Sequence, residues 1–348
     1  MSSRSKGFKL PHNKNQKTYI MTASPLTRSV FIGTGHYLPE KVLTNQDLEK
    51  MVDTSDEWIT KRSGIKSRHI AAKDETTADM AIAAAREALA NSGLKPADID
   101  GVIVATTTPD QTFPSVAVKV QAALGLGIGP AFDVQAVCTG FIYALSVADA
   151  FLKSGQYKRL LVIGADKMSS IVDWNDRGTC VLFADGAGAA VLEAQEGKGD
   201  IDDRGIFSTH LYADGNMRDL LYTNGGPSST GEAGHVIMEG KEVFKHAVAF
   251  MAGAVEDALE ANNISSADVD FLVPHQANIR ILQATAKKLG VPLEKVILTL
   301  EHHGNTSAAS VPLALHAGVS DGRIKQGSML LFEAMGGGLT WGAALARF

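Results

Sequence analysis

The chain contains very little cysteine: Cys138 and Cys180 are the only two among 348 residues. Two cysteines cannot build a disulfide framework, and their spacing relative to the ten histidines shows no metal-ligand clustering. The sequence therefore predicts no metal site, and a reducing cytoplasm is the simplest location.

A strong charge of one sign and a long apolar run are also missing. The formal net charge is −5, which gives no indication of a nucleic-acid-binding protein. The longest uncharged apolar stretch, residues 134–148, is shorter than the ~20 residues that a bilayer requires. We therefore expect neither a nucleic acid partner nor a membrane span.

Residues 1–27 contain no acidic residue. Because no apolar segment follows their basic residues, they are not a secretory signal. We expect a disordered basic leader, and the fold is predicted to begin at residue 28. The basic residues of the leader are Arg4, Lys6, Lys9, Lys14 and Lys17.

Beyond the leader, apolar strands alternate with amphipathic helices, such as one predicted from Thr77 to Asn91 and ended near Gly93. One pattern occurs twice, because residues 97–100 (Ala-Asp-Ile-Asp) and 267–270 (Ala-Asp-Val-Asp) each stand between a helix and an apolar strand. We therefore predict an α/β fold of two duplicated βα halves, residues 28–198 and 199–348, with mainly parallel, buried strands.

Cys138 lies in the first half, where an apolar strand over residues 130–134 leads into a helix. The unpaired N–H groups and positive dipole end of a helix N-terminus favour thiolate over thiol, which makes Cys138 a candidate nucleophile. A small buried apolar residue is, however, the more frequent role of a lone cysteine.

The second half supplies two further candidates. His275 directly follows the apolar strand 271–274, and Asn305 lies in a connection comparable with that of Cys138. Ligands bind outside the carboxyl ends of strands in open α/β sheets, so related halves can bring Cys138, His275 and Asn305 into one pocket. Taken singly, a histidine after a strand and an asparagine after glycine are ordinary loop residues.

Four segments together resemble one family. They are residues 137–141 (Val-Cys-Thr-Gly-Phe), 274–278 (Pro-His-Gln-Ala-Asn), 303–312 (His-Gly-Asn-Thr-Ser-Ala-Ala-Ser-Val-Pro) and 336–342 (Gly-Gly-Gly-Leu-Thr-Trp-Gly). The sequence resembles β-ketoacyl-acyl carrier protein synthase III over residues 28–348. The resemblance implies the thiolase fold, a five-layer α/β/α/β/α sandwich, in a homodimer that uses no metal or organic cofactor.

The resemblance also implies a decarboxylative condensation of an acyl-CoA primer, expected to be acetyl-CoA, with malonyl-acyl carrier protein, which initiates fatty-acid synthesis. It assigns Cys138 as the nucleophile that becomes acylated. His275 and Asn305 would bind the malonyl thioester oxygen as an oxyanion hole. Backbone N–H groups of Cys138 and Gly338 would bind the second thioester oxygen.

Contacts with both substrates follow from the same resemblance. Gln276 and Arg280 are expected at the docked acyl carrier protein, and Phe113 is expected to close the acyl pocket of the partner subunit. Stacking and cation–π contacts suit the adenine of CoA. The residues expected at CoA are Trp58, Arg62, Arg177 and Asn278.

Two other classes share part of the pattern. The chain order of the cysteine, histidine and asparagine is also that of a papain-like hydrolase, but the local Cys-Gly-Ser/Ala-Cys-Trp/Tyr pattern is missing. Gly33-Thr34-Gly35 is similar to the start of a dinucleotide-binding loop, but Leu38 stands where the third glycine is needed. Residues 186–188 (Gly-Ala-Gly) are followed by Val191 at that point, so they fail in the same way.

Overall fold

The computed structural model describes residues 26–348. Its first strand, β1 (Leu26–Tyr37), contains the last two residues of the predicted leader. The rest of that leader, residues 1–25, lies outside the described residues.

The first half forms a mixed five-stranded sheet. After β1, this half of the chain contains the strands β2 (Lys41–Thr44), β3 (Ser67–Ile70), β4 (Gly101–Ala105), β5 (Ala131–Val134), β6 (Arg159–Lys167) and β7 (Asp185–Gly197). The sheet order is β1-β7-β6-β4-β5, while β2 and β3 pair separately. β4 is parallel to β5 and β6, but β7 is antiparallel to β1 and β6. Residues 168–184 contain no α-helix that could carry the chain back for a parallel pairing, so the prediction of mainly parallel strands is wrong here.

The second half forms a mixed sheet in the order β11-β12-β13-β8. Only β11 and β12 are parallel in this sheet. The connection over residues 337–339 is too short for a crossover, so β12 and β13 must be antiparallel. The strands of this half are β8 (Gly205–Ala213), β9 (Leu221–Thr223), β10 (Val236–Met238), β11 (Phe271–Pro274), β12 (Met329–Gly336) and β13 (Thr340–Arg347).

The helices begin and end at local signals. The α-helices are α1 (Asn45–Leu48), α2 (Asp56–Ser63), α3 (Thr77–Ser92), α4 (Val116–Leu124), α5 (Gly140–Lys153), α6 (Gly240–Ala261), α7 (Ile279–Leu289), α8 (Leu300–His303) and α9 (Ser310–Ser320). In α3, Thr76 and Asp79 form a capping box and Gly93 ends the helix with φ 71°, which confirms the predicted helix. Among residues 26–348, no helix combines the length and apolar composition needed to cross a bilayer.

The helices α5 and α9 lie between the two sheets. One core cluster joins Phe141 of α5 and Leu315 of α9 to Ile103 of β4 and Phe332 of β12. A second cluster packs α3 and α4 on the outer face of the first sheet, and a third packs α6 and α7 on the outer face of the second. The predicted five-layer α/β/α/β/α fold is therefore confirmed.

The repeated aspartates make the same contacts in both halves. Asp100 donates its N–H to the carbonyl of Arg159 at 2.9 Å and accepts the Arg159 N–H on its carboxylate at 2.8 Å. Asp270 does the same with Met329, at 3.0 and 2.8 Å. The short repeat in the sequence thus fixes a parallel strand pair in each half, β4–β6 and β11–β12.

Candidate active site

Cys138 lies in a 3₁₀ turn, Val137–Thr139, between β5 and α5. The turn begins with Val137 at φ 49°, a left-handed conformation that a β-branched residue rarely adopts. The second half has an equivalent turn, Ser307–Ala309, which begins with Ser307 at φ 51° and leads into α9. The two turns contact each other, so the duplication places the N-termini of α5 and α9 side by side.

Burial controls the chemistry of the Cys138 thiol. Burial raises its pKa to about 12, the charge of Asp166 adds to the rise, and the nearby Ser307 hydroxyl offsets only part of it. The N–H groups that follow Cys138 are occupied, because Thr139 donates to the carbonyl of Ala136 and Gly140 donates to the carbonyl of Val137. The expectation that the helix N-terminus favours the thiolate is therefore wrong for the resting protein.

His275 is held between the second sheet and α9. Its backbone N–H donates to the backbone carbonyl of Glu333 at 2.8 Å, and Nδ1 of its ring lies 2.6 Å from Oγ of Ser310. Burial lowers the pKa of His275 to about 3, so the ring is neutral at physiological pH. When the Ser310 hydroxyl donates to Nδ1, the ring carries its hydrogen on Nε2 and can donate it.

Asn305 is oriented by its own backbone and by the following turn. Its N–H donates to the carbonyl of Leu182, and its carbonyl accepts the N–H of Ala184, both at 2.9 Å. The side-chain Oδ1 accepts the N–H of Ser307 at 3.0 Å. Because the amide oxygen is occupied, the NH₂ group of Asn305 is the part of the side chain that remains to bind a ligand.

The three side chains meet in one cavity. Cys138, His275 and Asn305 all line a volume of about 80 Å³, although they lie on connections far apart in the chain. Met335 and Phe244 form part of its apolar wall, and no sequence pattern identifies either of them as a site residue. The cavity thus combines a thiol, a neutral imidazole and an amide in largely apolar surroundings.

Gly336 and Gly337 are the members of the glycine triplet that lie beside Cys138, whereas the predicted one was Gly338. A Cβ on Gly336 would lie 2.7 Å from the backbone nitrogen of Cys138, so only glycine fits there. Gly337 lines a second cavity of about 130 Å³ beside Cys138. Gly338, with φ 137°, is not among the residues that line either cavity, so Gly337 replaces it as the candidate backbone donor.

Asp166 is a buried residue behind the site that sequence reasoning missed. Its carboxylate accepts the N–H of Thr107 at 2.7 Å and the N–H of Ala308 at 3.0 Å, which joins the end of β6 to the turn before α9. Burial raises the pKa of Asp166 despite these hydrogen bonds. An acidic residue at the end of an otherwise apolar strand was the signal that could have identified it.

A larger outer cavity of about 480 Å³ contains most of the residues expected at CoA. It is lined by Trp58, Arg62 and Asn278, and Asn278 also lines the inner cavity. The guanidinium carbons of Arg62 and Arg177 lie 4.4 and 5.4 Å from the centre of the Trp58 ring. Arg280 lines the same cavity, so the structure brings these predicted residues together at the mouth of the site.

Two predicted positions lie elsewhere. Gln276 is fully buried, donating to the carbonyls of Pro274 and Ile297 and accepting the N–H groups of Thr299 and Leu300. Its expected contact with a docked protein is therefore wrong, because every polar group of the side chain is engaged inside the fold. Phe113 is 81% exposed and lines none of these three cavities.

Glu333 lies in β12 next to the site, and its carbonyl is the acceptor for His275. Both of its carboxylate oxygens are buried without a hydrogen-bond partner among the described residues. Burial raises the pKa of Glu333 from 4.5 to about 8, so the group is protonated in the folded protein at neutral pH.

We expect this carboxyl to make stability depend on pH. Its contribution to the free energy of unfolding is fully present below pH 4.5 and is lost as the pH rises to about 8, because only the unfolded chain ionises in that window. The slope is about 1.4 kcal/mol per pH unit for one proton. Glu333→Gln should remove that slope in denaturant unfolding between about pH 5 and pH 8, whereas the exposed control Glu294→Gln should keep it. An unchanged slope in Glu333→Gln would contradict the assignment.

The fold and the site define the class: a thiolase-fold acyltransferase with cysteine, histidine and asparagine in one cavity. Residues 132–215 match the family 3-oxoacyl-[acyl-carrier-protein (ACP)] synthase III, and residues 259–348 match its C-terminal part. The beta-ketoacyl-[acyl-carrier-protein] synthase III of Rhodospirillum centenum is 61% identical over 321 residues, 92% of this chain and 99% of that protein. The corresponding protein of Rhizobium meliloti is 57% identical over 323 residues, 93% of this chain and 100% of the relative.

Solved structures agree with these sequence matches. The crystal structure of 3-oxoacyl-[acyl-carrier-protein] synthase III from Aquifex aeolicus has a TM-score of 0.87 at 50% identity, covering 92% of this chain and 100% of that one. The chain belongs to the β-ketoacyl-[acyl-carrier-protein] synthase III family. The family resemblance stated from the motifs is confirmed, and the hydrolase and dinucleotide-binding alternatives are wrong.

Proposed function

We propose that the chain catalyses the condensation that initiates fatty-acid synthesis, with acetyl-CoA as primer and malonyl-acyl carrier protein as second substrate. The observation that carries the proposal is the shared cavity of Cys138, His275 and Asn305 in a chain of this family. The reaction has two halves. Cys138 first accepts the acyl group from CoA; the malonyl group then loses carbon dioxide, and the resulting carbanion attacks the acyl-Cys138 carbonyl and releases the 3-oxoacyl product.

The acylation half requires the thiol proton to leave as the sulfur attacks. Because the pKa of Cys138 is raised to about 12, the thiolate forms during attack rather than before it. Nε2 of His275 receives the proton and passes it to the CoA sulfur as that bond breaks. The hydroxyl of Ser310 supports this step, because a hydroxyl can accept from Nδ1 as readily as it can donate to it.

The decarboxylation half uses the opposite tautomer. Negative charge builds on the malonyl thioester oxygen as carbon dioxide leaves, and neutral His275 and the Asn305 amide donate N–H groups to that oxygen. A neutral ring suits this role because it binds the charge without transferring a proton to it. For the carbonyl oxygen of the acyl-Cys138 thioester we propose the backbone N–H groups of Cys138 and Gly337. Both residues line the cavity of about 130 Å³ beside Cys138.

The primer is proposed to occupy the cavity beside Cys138. Its volume is about 130 Å³, and Met168, Ile171 and Phe183 contribute to its wall, which suits a short apolar acyl group. We also propose a homodimer in which the exposed Phe113 closes this cavity in the partner subunit. We further propose that the chain is divided into two halves, residues 28–198 and 199–348, each with one main sheet. We also propose a cytoplasmic location.

A panel of primers tests this part of the proposal. With malonyl-acyl carrier protein in excess, acetyl-CoA should give a higher kcat/KM than butyryl-CoA, and octanoyl-CoA should give none. Phe113→Ala should extend activity to longer primers, while Val118→Ala, which truncates another exposed apolar residue, should not. Equal use of octanoyl-CoA by the unaltered protein would contradict the short primer.

The carrier protein is proposed to dock on the basic mouth of the outer cavity. Lys61, Arg62, Lys241 and Arg280 surround Trp58 there, and carrier proteins are acidic. Arg280 lies over the Phe244 ring at 5.5 Å, which positions it between the mouth and the inner wall.

Reversing this charge should separate the two substrates. Arg280→Glu should raise the KM for malonyl-acyl carrier protein roughly tenfold at low salt and less at high salt, while acylation of Cys138 by acetyl-CoA changes little. Lys287→Glu, on the exposed last turn of the same helix, is the matched control. Equal damage to both half-reactions would mean that Arg280 supports the fold instead.

A further inference from the structure

Three side chains of residue types that can ligate metals meet at the edge strand β1 of the first sheet. Nδ1 of His36 lies 2.7 Å from the Glu87 carboxylate, and Nε2 of His316 lies 3.6 Å from its other oxygen. The two imidazole rings stack with centres 4.5 Å apart. The residues belong to β1, α3 and α9, so no sequence spacing would connect them.

The surroundings orient His316 as a ligand. Its Nδ1 lies 3.1 Å from Oγ1 of Thr34, which can accept the ring N–H and so leave Nε2 without a hydrogen, as metal binding requires. His316 is only 6% exposed, whereas His36 and Glu87 are partly exposed. One fixed ligand and two adjustable ones at the surface leave a path for an ion and a position for water.

We propose that His36, Glu87 and His316 bind a divalent transition-metal ion of the Zn²⁺ class, with water as the fourth ligand. The three donor atoms lie within 4.8 Å of one another, and rotation of the exposed His36 ring out of its stack on His316 would bring them onto one ion. Two imidazole nitrogens and one carboxylate oxygen form a donor set that zinc accepts, at bonds of about 2.0–2.2 Å. Nε2 of His316 would exchange its present neighbour, the Ser320 hydroxyl at 2.9 Å, for the metal.

Such an ion would link three layers of the fold. It would hold the edge strand β1 to α3 on one side and to α9 on the other, and α9 begins with Ser310, the partner of His275. The site is separate from the cavity of Cys138, because β1 and β5 are the opposite edges of the sheet. We therefore expect bound metal to raise the unfolding temperature of the chain.

Metal titration of the full-length, tag-free chain tests the proposal. The measurement is made in a Cys138→Ala background, so that the thiol beside His275 cannot take up zinc. Zn²⁺, in competition with a chromophoric chelator, should bind with one equivalent per chain and raise the unfolding temperature. Co²⁺ should give the visible absorption of a four-coordinate site at the same stoichiometry.

Exposed ligands provide the decisive variants. His36→Ala and Glu87→Gln should each lower the Zn²⁺ affinity by more than about 100-fold, since even outer-shell changes reduce affinity 10- to 100-fold. His235→Ala, another exposed histidine, should leave the affinity and the thermal shift unchanged. Absence of a one-equivalent site, or a site that survives both ligand variants, would overturn the proposal and leave these residues as a histidine–carboxylate hydrogen-bond cluster.

Discussion

A Cys138→Ala variant should form no acyl-enzyme and no condensation product, yet it should still release carbon dioxide from malonyl-acyl carrier protein. The reason is that the substitution removes the acyl acceptor but leaves His275 and Asn305 to bind the malonyl oxygen. Intact-protein mass spectrometry after incubation with acetyl-CoA measures the first half-reaction. Labelled carbon dioxide measures the second.

The second cysteine provides the matched control. Cys180 is also buried and free, and Cys180→Ala should retain the acyl-enzyme because this residue lines none of the three cavities. Iodoacetamide protection by acetyl-CoA should likewise be confined to Cys138. Acylation that persists in Cys138→Ala would mean that another group is the nucleophile.

Asn305→Ala should produce the opposite pattern: the acyl-enzyme forms, but malonyl-acyl carrier protein is hardly decarboxylated. Loss of one oxyanion donor reduces the rate by about 10²–10³. Alanine keeps the backbone bridge of residue 305 to Leu182 and Ala184, so the local fold should persist. The same two measurements, acyl-enzyme by mass and labelled carbon dioxide, distinguish the half-reactions.

A conservative variant isolates the donor. Asn305→Asp keeps the oxygen that accepts the Ser307 N–H but has no amide hydrogen to donate, so it should show the same decarboxylation defect. His275→Ala should show that defect together with slower acylation, because His275 takes part in both half-reactions. If Asn305→Ala abolished acylation as completely as Cys138→Ala, the three residues would act as one hydrolase-like triad, and the proposed division would fail.

Local patterns in the sequence were sufficient for the elements that frame the site. The cap of α3 depends on Thr76 and Asp79, three residues apart, and the strand before Cys138 and the helix after it are visible in their own apolar patterns. The repeated Ala-Asp-Ile/Val-Asp pattern predicted two related halves, and the motifs around His275 and Asn305 predicted the family. Such features are readable because each is determined by neighbours within a few positions.

Strand direction and the choice of glycine were harder to predict. Parallel and antiparallel neighbours have equally apolar strands here, so the connections decide their direction. Residues 168–184, between β6 and β7, form no α-helix, and the connection between β12 and β13 is too short for a crossover. Gly336, Gly337 and Gly338 are likewise indistinguishable by residue type. Their surroundings, not their identity, separate them: Gly336 packs against the backbone nitrogen of Cys138, and Gly337 lines the cavity beside it.

The sequence by itself determined the layered α/β fold, its duplication and the three residues that share the inner cavity. The tertiary structure decided that Cys138 is a buried thiol with a raised pKa, that Gln276 is enclosed, and that Glu333 keeps its proton. It also brought His36, Glu87 and His316 together from three elements. The physical reason is that burial, desolvation and ligand geometry depend on side chains from distant parts of the chain, which no local pattern records.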